Sequence, residues 1–145
     1  MAERRARTTW HGDLASGSGI TEFGSGAIPA QEVSWSARTE DPGGRTSPEE
    51  LIAGAHATCI SMALSHGLAQ VGTPATQLTT DAVCTFEQVE GGFGITSMHL
   101  TVRGVVDGLD DAGFKAAAEQ AKEGCPVSKA LGGNVEVSLD AALEG

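Results

Sequence analysis

Basic residues are scarce in this chain, and no uninterrupted apolar run reaches membrane-spanning length. Nine Lys and Arg stand against nineteen Asp and Glu, which gives a net charge of −10. This acidic balance argues against nucleic acid and anionic membranes as partners. No stretch of about 18 or more apolar residues occurs, and the opening residues 1–7 lack the apolar core of a signal peptide. These absences predict a cytoplasmic protein.

Cysteine is also scarce, and its odd count limits its use. Three cysteines, Cys59, Cys84 and Cys125, argue against a full disulfide framework of the secreted kind, so reduced thiols in a cytosol fit better. Cys84 alternates with apolar residues in a predicted strand, which indicates a core position. The other two thiols are therefore the candidates for chemistry, and we interpret them as a redox pair.

The histidines do not predict a metal site. His11, His56, His66 and His99 show no spacing typical of metal ligands. We predict that the protein needs neither a metal nor a bound cofactor. His56, one helical turn before Cys59, is interpreted as a packing or hydrogen-bonding residue in preference to a catalytic base.

The size and composition of the chain suit one domain. With 145 residues and 40% hydrophobic content, we predict a single domain over residues 1–145, with a disordered basic start at residues 1–6. Residues 8–37 are rich in Gly and Ser with short apolar clusters, which predicts an antiparallel meander. Residues 39–46 hold Pro42 and a Gly-Gly pair, which predicts a loop.

A capping box predicts the start of a long helix at Pro48. Ser47 suits the N-cap, Pro48 the first helical position, and Glu50 the position three residues after the serine. We expect the helix to run to about Gln70, a length of roughly 34 Å. Its residues are apolar or small nearly all round, so the sequence predicts burial on most sides.

The second half of the chain predicts a hairpin, a shorter helix and a closing strand. Gly124 stands where a helix end favours a left-handed residue, and Pro126 prevents simple continuation of the helix. The expected elements are strands at 78–89 and 94–106 joined by a Gly-Gly turn, a helix over 110–123, a helical turn at 127–131 and a strand around 135–139.

These elements cannot cover the long helix within one chain. One small sheet and one short helix cover little more than one side of it. A second copy would cover the rest, and the small residues Gly54, Ala55 and Ala63 permit close approach. We therefore predict an α/β (α+β) fold assembled as an obligate homodimer with a large interwoven interface.

Cys59 needs a cation to become reactive. It lies eleven residues after Pro48, too deep in the helix for the N-terminus to lower its pKa. The candidate cation is Arg38, held by a carboxylate such as Glu49, which would bring the pKa of the Cys59 thiol well below its ordinary value. The alternative is that Cys59 is a small core residue, because it shares a helical stripe with Leu51, Ala55 and Met62.

Cys125 also has two interpretations. In Gly124-Cys125-Pro126-Val127 it is either a loop cysteine at a helix break or a resolving thiol, accessible at a mobile proline turn. The residues alone do not separate the two.

Two segments carry a resemblance to a known family. Residues 47–64 (SPEELIAGAHATCISMAL) and residues 124–128 (GCPVS) closely resemble the OsmC/Ohr family, named for osmotically inducible protein C and organic hydroperoxide resistance protein. The resemblance covers nearly the whole chain, from residues 9–14 (TWHGDL) to the closing strand. The residues around Cys59 are more similar to the OsmC branch.

The resemblance implies a thiol peroxidase that reduces organic hydroperoxides to alcohols and also reduces hydrogen peroxide. Its fold would be a swapped homodimer, with antiparallel sheets packed around long central helices and each active site drawing on both subunits. Cys59 would be the peroxidatic cysteine that becomes a sulfenic acid. Cys125 would be the resolving cysteine that closes an intramolecular disulfide.

The resemblance also implies two supporting residues and a reductant. Arg38, after a strand over residues 33–37, would polarise the peroxide, and Glu49 would orient that arginine. Arg45, in the following loop, is a rival cation. An external dithiol of the lipoyl type would complete turnover.

Two other functions compete with the peroxidase. A cysteine hydrolase would use Cys59 with His56 or His66 as its base. A non-enzymatic dimer would bind small apolar ligands, with its cysteines as redox-responsive gates. Catalytic consumption of peroxide in the presence of a dithiol separates the peroxidase from both.

Overall fold

The computed structural model describes residues 1–144 and confirms the mixed α/β class. The chain divides into two compact units, the first ending at Leu51 and the second beginning at Ile52. The elements in chain order are β1 (Ala6–His11), β2 (Ser18–Phe23), β3 (Gln31–Val33), α1 (Trp35–Thr39), α2 (Pro48–Gln70), β4 (Ala75–Val89), β5 (Gly92–Val106), α3 (Asp111–Gly124), α4 (Pro126–Leu131) and β6 (Glu136–Leu143).

The first unit contains the predicted meander. Its sheet has the order β1-β2-β3, with both pairs antiparallel. The expected strand over residues 33–37 is wrong, because β3 ends at Val33 and α1 begins at Trp35. Ser34 caps this short helix, since its side chain accepts a hydrogen bond from the Ala37 N–H at 3.1 Å. Arg38 consequently lies in the last turn of a helix.

Helix α2 begins at Pro48 and ends at Gln70, as predicted. The N-cap is confirmed, because the Glu50 N–H donates to Ser47 Oγ at 3.2 Å. The Glu50 carboxylate accepts a hydrogen bond from the Thr46 hydroxyl at 2.5 Å. That bond ties the end of the preceding loop to the first turn of the helix.

A single chain does not bury α2 on most sides. The buried positions of the helix within the second unit recur every four residues: His56, Ile60, Leu64 and Leu68. The alternative interpretation, a core stripe that includes both Cys59 and Met62, is wrong for Met62, which is 69% exposed, although Cys59 packs against the core cluster. Helix α2 is long and apolar enough to cross a membrane by length and composition alone. Core helices of globular proteins meet the same criterion.

The second unit is built on a mixed sheet of order β4-β5-β6. Strands β4 and β5 form the predicted antiparallel hairpin, but β6 runs parallel to β5, so the expectation of purely antiparallel sheets is wrong. The crossover through α3 and α4 returns the chain to the same end of the sheet, which permits parallel pairing. Phe114 and Ala118 of α3 are fully buried in the core cluster of this unit.

Helices α3 and α4 meet at Cys125. The expected left-handed glycine is wrong, because Gly124 is the last residue of α3 and has no positive φ. Cys125 instead has extended backbone angles (φ −66°, ψ 122°), and it both ends α3 and caps α4. Pro126 then takes the first position of α4, which suits a residue without an N–H. This junction fixes the direction of the Cys125 thiol.

Candidate active site

Two thiols from distant parts of the chain meet in the second unit. Cys59 comes from α2 and Cys125 from the junction of α3 and α4, and their Sγ atoms lie 2.8 Å apart. Both are free cysteines. Because the sulfurs of a disulfide are about 2.05 Å apart, bond formation requires a shift of less than about 1 Å. The structure therefore brings together the two cysteines that the sequence singled out.

The two thiols differ in exposure. Cys125 is fully buried at 0% exposure, whereas Cys59 is only partly buried. The expectation of an accessible thiol at a mobile turn is wrong for Cys125, because α3, α4 and the core cluster of the second unit enclose it. Of the two cysteines, only Cys59 has part of its surface open to solvent.

The two thiols also differ in acidity. Burial raises the pKa of the Cys59 thiol, and the neighbouring Cys125 thiol raises it further. Burial also acts to raise the pKa of Cys125, but hydrogen bonds from Cys59 and Ser128 outweigh it and lower that pKa. The lowered pKa predicted for Cys59 is therefore not found, and within this pair the proton is held more tightly on Cys59.

Acidity and exposure thus favour different sulfurs for the first reaction with a peroxide. Sulfurs at 2.8 Å are within hydrogen-bonding distance, so a proton can move between them without rearrangement of the chain. A buried sulfur, in contrast, cannot be reached until the helices move apart. Exposure is therefore the stronger criterion, and it selects Cys59.

A hydrogen-bonded chain of side chains lies behind Cys125. The Ser128 N–H donates to Cys125 Sγ at 3.5 Å, and the Ser128 side chain also lowers the pKa of this thiol. On its other side, Ser128 Oγ lies 2.7 Å from Nε2 of the fully buried His56. His56 is thus the predicted hydrogen-bonding residue. Sequence reasoning missed Ser128, although a serine three residues after an N-cap position was an available signal.

Arg38 and Glu49 form a close ion pair in the first unit. Arg38 Nε donates to both carboxylate oxygens of Glu49, at 3.0 and 3.2 Å, and Nη2 donates to Oε1 at 2.8 Å. Glu49 is buried, whereas the Arg38 side chain keeps 30% of its surface exposed. This two-point contact fixes the plane of the guanidinium. The rival Arg45 is more exposed and lies 3.6 Å from the exposed Glu32.

An apolar cavity of about 290 Å³ lies within the first unit, and Arg38 is in its wall. Trp10 on β1 pairs with Gly19 on β2. The indole ring packs directly over this glycine, because a Cβ at position 19 would come within 2.8 Å of the ring. The meander predicted for residues 8–37 did not predict this cavity. Its apolar lining consists of Trp10, Leu14, Val33, Trp35, Pro48 and Leu51.

The remaining thiol and histidines are not assembled into a site. Cys84 is half-buried on β4 and packs against the core cluster. His99 on β5 bonds through Nδ1 to Ser138 Oγ at 2.7 Å, in an exposed position. Across residues 1–144, no group of three or more His, Cys, Asp or Glu side chains is arranged to hold a metal ion.

Comparison with known proteins places this geometry in a family. A family model described as OsmC-like protein matches residues 41–140. Peroxiredoxin OsmC of Escherichia coli (strain K12) is 38% identical over 141 residues, which cover 97% of this chain and 96% of that protein. Organic hydroperoxide resistance protein of Xanthomonas axonopodis pv. citri (strain 306) is 33% identical over 102 residues, 69% of each chain.

A solved structure agrees with the sequence matches. The crystal structure of organic hydroperoxide resistance protein OhrB of Bacillus subtilis matches with a TM-score of 0.74 at 27% identity, covering 94% of this chain and 97% of that one. The resemblance inferred from residues 47–64 and 124–128 is thereby confirmed, and this chain belongs to the OsmC-like protein family.

Proposed function

We propose that this protein is a thiol-dependent peroxidase that reduces organic hydroperoxides to alcohols, and hydrogen peroxide to water. Its relatives are a peroxiredoxin and an organic hydroperoxide resistance protein, so a peroxide-detoxifying cysteine enzyme follows from the family. The observation that carries the mechanism is the pair of free sulfurs 2.8 Å apart, of which one belongs to the partly exposed Cys59 and the other to the buried Cys125.

In the first step the Cys59 thiolate attacks the distal peroxide oxygen. The O–O bond breaks, the sulfur gains the distal oxygen as a sulfenic acid, and the alkoxide takes a proton to leave as an alcohol. The reaction needs a cation for the developing negative charge, and we assign this role to Arg38. Its contacts with Glu49 support the assignment, because a guanidinium that is already held in place loses little conformational entropy when it binds an oxyanion.

The apolar cavity supports organic hydroperoxides as the preferred substrates. Trp10, Leu14 and Trp35 provide an apolar wall for the organic substituent, and Arg38 provides a charged group for its peroxide end. Hydrogen peroxide lacks such a substituent and gains nothing from this wall. We therefore expect the efficiency of reduction to rise with the apolar size of the peroxide.

In the second step Cys125 attacks the Cys59 sulfenic acid, forming the disulfide and releasing water. An external dithiol, of the lipoyl type that the resemblance implies, then restores both thiols. Since Cys125 is buried, the dithiol must attack the Cys59 sulfur. The lowered pKa of Cys125 makes it the better leaving group. A reducing cytoplasm is the compartment that suits this cycle.

Mass spectrometry after one equivalent of an organic hydroperoxide tests this function. We expect the reduced protein to lose two hydrogens rapidly, with peptide mapping that places the crosslink between Cys59 and Cys125. Cys84 provides an internal control, because its thiol should stay free. An unchanged mass with all thiols free would contradict the peroxidase and favour the non-enzymatic binder of small apolar ligands, for which the cavity would be the site.

The cysteine hydrolase is the weaker alternative. Its base would have to take a proton from Cys59, but Nε2 of His56 is bonded to Ser128 Oγ at 2.7 Å. A hydrolase would also have no need for the second sulfur beside Cys59. Both contacts favour redox chemistry.

We further propose that the working form is the homodimer predicted from the sequence. Within one chain α2 buries one row of side chains, and Met62 and Val71 are 69% and 71% exposed. On the sheet of the second unit, Val83 and Phe93 are 61% and 51% exposed. A second copy that covers this apolar surface would remove its contact with water, which supports a large interface.

Small-angle scattering of the native protein at micromolar concentration tests the dimer. We expect a particle of twice the 14.7 kDa chain mass, with no dissociation on dilution into the low micromolar range. Val83→Glu, which places a charge on the exposed apolar strand position, should weaken assembly. Ala116→Glu, which adds the same charge at an exposed position of α3 away from these apolar residues, is the control. A stable monomer of the unaltered chain would contradict the proposal.

A further inference from the structure

We infer that Ser128 and His56 are positioning residues for the second step, because they stabilise the Cys125 thiolate that attacks the sulfenic acid. The inference rests on the proposed function and adds to it the groups that control disulfide closure. Neither side chain forms a hydrogen bond with the Cys59 thiol within residues 1–144, so their replacement should not slow the first step.

The geometry places Ser128 between His56 and Cys125. Ser128 donates its backbone N–H to Cys125 Sγ at 3.5 Å, and its side chain also lowers the pKa of that thiol. Its oxygen lies 2.7 Å from His56 Nε2. His56 comes from α2 and Ser128 from α4, so this contact also joins the two helices that carry the reacting thiols.

The burial of His56 decides the direction of the hydrogen bonds. Burial lowers the pKa of His56, so the ring is neutral near pH 7 and carries one proton. Its Nδ1 atom is buried and has no hydrogen-bond partner within residues 1–144. A proton there would leave a buried donor unpaired, which is costly. The proton therefore belongs on Nε2, which donates to Ser128 Oγ and leaves the serine hydrogen free to point at Cys125.

This arrangement acts on a defined chemical step. The Cys125 thiolate forms the S–S bond while the S–O bond of the Cys59 sulfenic acid breaks. The Cys125 sulfur is oxidised, the Cys59 sulfur is reduced to the disulfide level, and the proton from the Cys125 thiol ends on the departing oxygen to give water. A hydroxyl that donates to Cys125 increases the fraction of thiolate before attack.

Few other charges act on Cys125. Its pKa responds to burial and to hydrogen bonds from Cys59, Ser128 and Val127, with no contribution from a charged residue. The elements that meet at Cys125 carry these other charged or histidine side chains: Glu49, Glu50, His56 and His66 on α2, Asp111, Lys115, Glu119, Lys122 and Glu123 on α3, and Lys129 on α4. Removal of the Ser128 hydroxyl should therefore raise the pKa of the Cys125 thiol without removing a charge from the protein.

Stopped-flow measurement of the two steps in Ser128→Ala tests the inference. Sulfenic acid formation on Cys59, trapped with dimedone, should not slow, because loss of a donor to Cys125 shifts the shared proton toward that thiol and away from Cys59. Disulfide closure should slow by about threefold or more at pH 7, because a tenfold loss of thiolate is partly offset by higher nucleophilicity. The pH midpoint of closure should move upward, a change that looser packing alone would not produce.

Two further variants complete the test. Ser61→Ala is the matched control. It removes a hydroxyl of α2 that bonds to Thr80 at 2.8 Å, and it should leave both steps unchanged. His56→Gln retains an N–H near the Nε2 position and should recover more of the closure rate than His56→Ala. Closure in Ser128→Ala with an unchanged rate and pH midpoint would overturn the inference. Absence of any Cys59–Cys125 disulfide in the unaltered protein would instead refute the proposed function.

Discussion

Replacement of Cys59 by serine should abolish peroxide reduction. The accessible sulfur is lost, and a serine hydroxyl is far too weak a nucleophile toward a peroxide oxygen without a strong base beside it. We expect consumption of an organic hydroperoxide, followed with a dithiol in excess, to fall to the rate measured without protein. The fold should persist, because oxygen in place of sulfur is a small change at a partly buried position.

The other two cysteines provide matched comparisons for Cys59→Ser. Cys125→Ser should consume one equivalent of peroxide rapidly and about one more slowly, and then stop, because the sulfenic acid has no partner and a second peroxide oxidises it to sulfinic acid. Cys84→Ser should retain full turnover, since Cys84 packs against the core on β4. If Cys59→Ser kept its turnover while Cys125→Ser lost it, the roles of the two sulfurs would have to be exchanged.

The helices and strands were largely predictable because their signals are local. Ser47, Pro48 and Glu50 predicted the start of α2 to the residue, and the Gly-Gly turn predicted the hairpin. The prediction was wrong at the junction of α3 and α4, where one helix ends and the next begins without a left-handed glycine. Cys125 ends one helix and caps the next with ordinary backbone angles, so no left-handed residue was needed at Gly124.

The site was predictable only as far as its residues form short motifs. The motifs around Cys59 and Cys125 suggested a redox pair, and the structure places their sulfurs 2.8 Å apart. The burial of Cys125 and the contact of His56 with Ser128 depend on packing between residues 72 positions apart in sequence. No periodicity within one element reports such packing. The cavity beside Arg38 likewise depends on side chains from several elements.

Replacement of Arg38 by alanine should lower the rate of peroxide reduction by about 10²–10³-fold, the usual cost of removing one oxyanion donor. The expected loss is in the first step, because Arg38 is assigned to the charge that develops as the O–O bond breaks. Rapid-mixing measurement of sulfenic acid formation isolates that step. Arg38→Lys should recover only part of the rate, since lysine retains the charge but not the two-point contact with Glu49.

Arg45→Ala is the matched control for Arg38→Ala. Both changes remove one guanidinium from the first unit, but Arg45 is the more exposed and lies 3.6 Å from an exposed carboxylate. We expect Arg45→Ala to react with peroxide at the unaltered rate. Because Arg38→Ala leaves the buried Glu49 without its partner, thermal unfolding of each variant must show that the folded state persists under assay conditions. A folded Arg38→Ala protein with full activity, beside an inactive Arg45→Ala protein, would transfer the cationic role to Arg45.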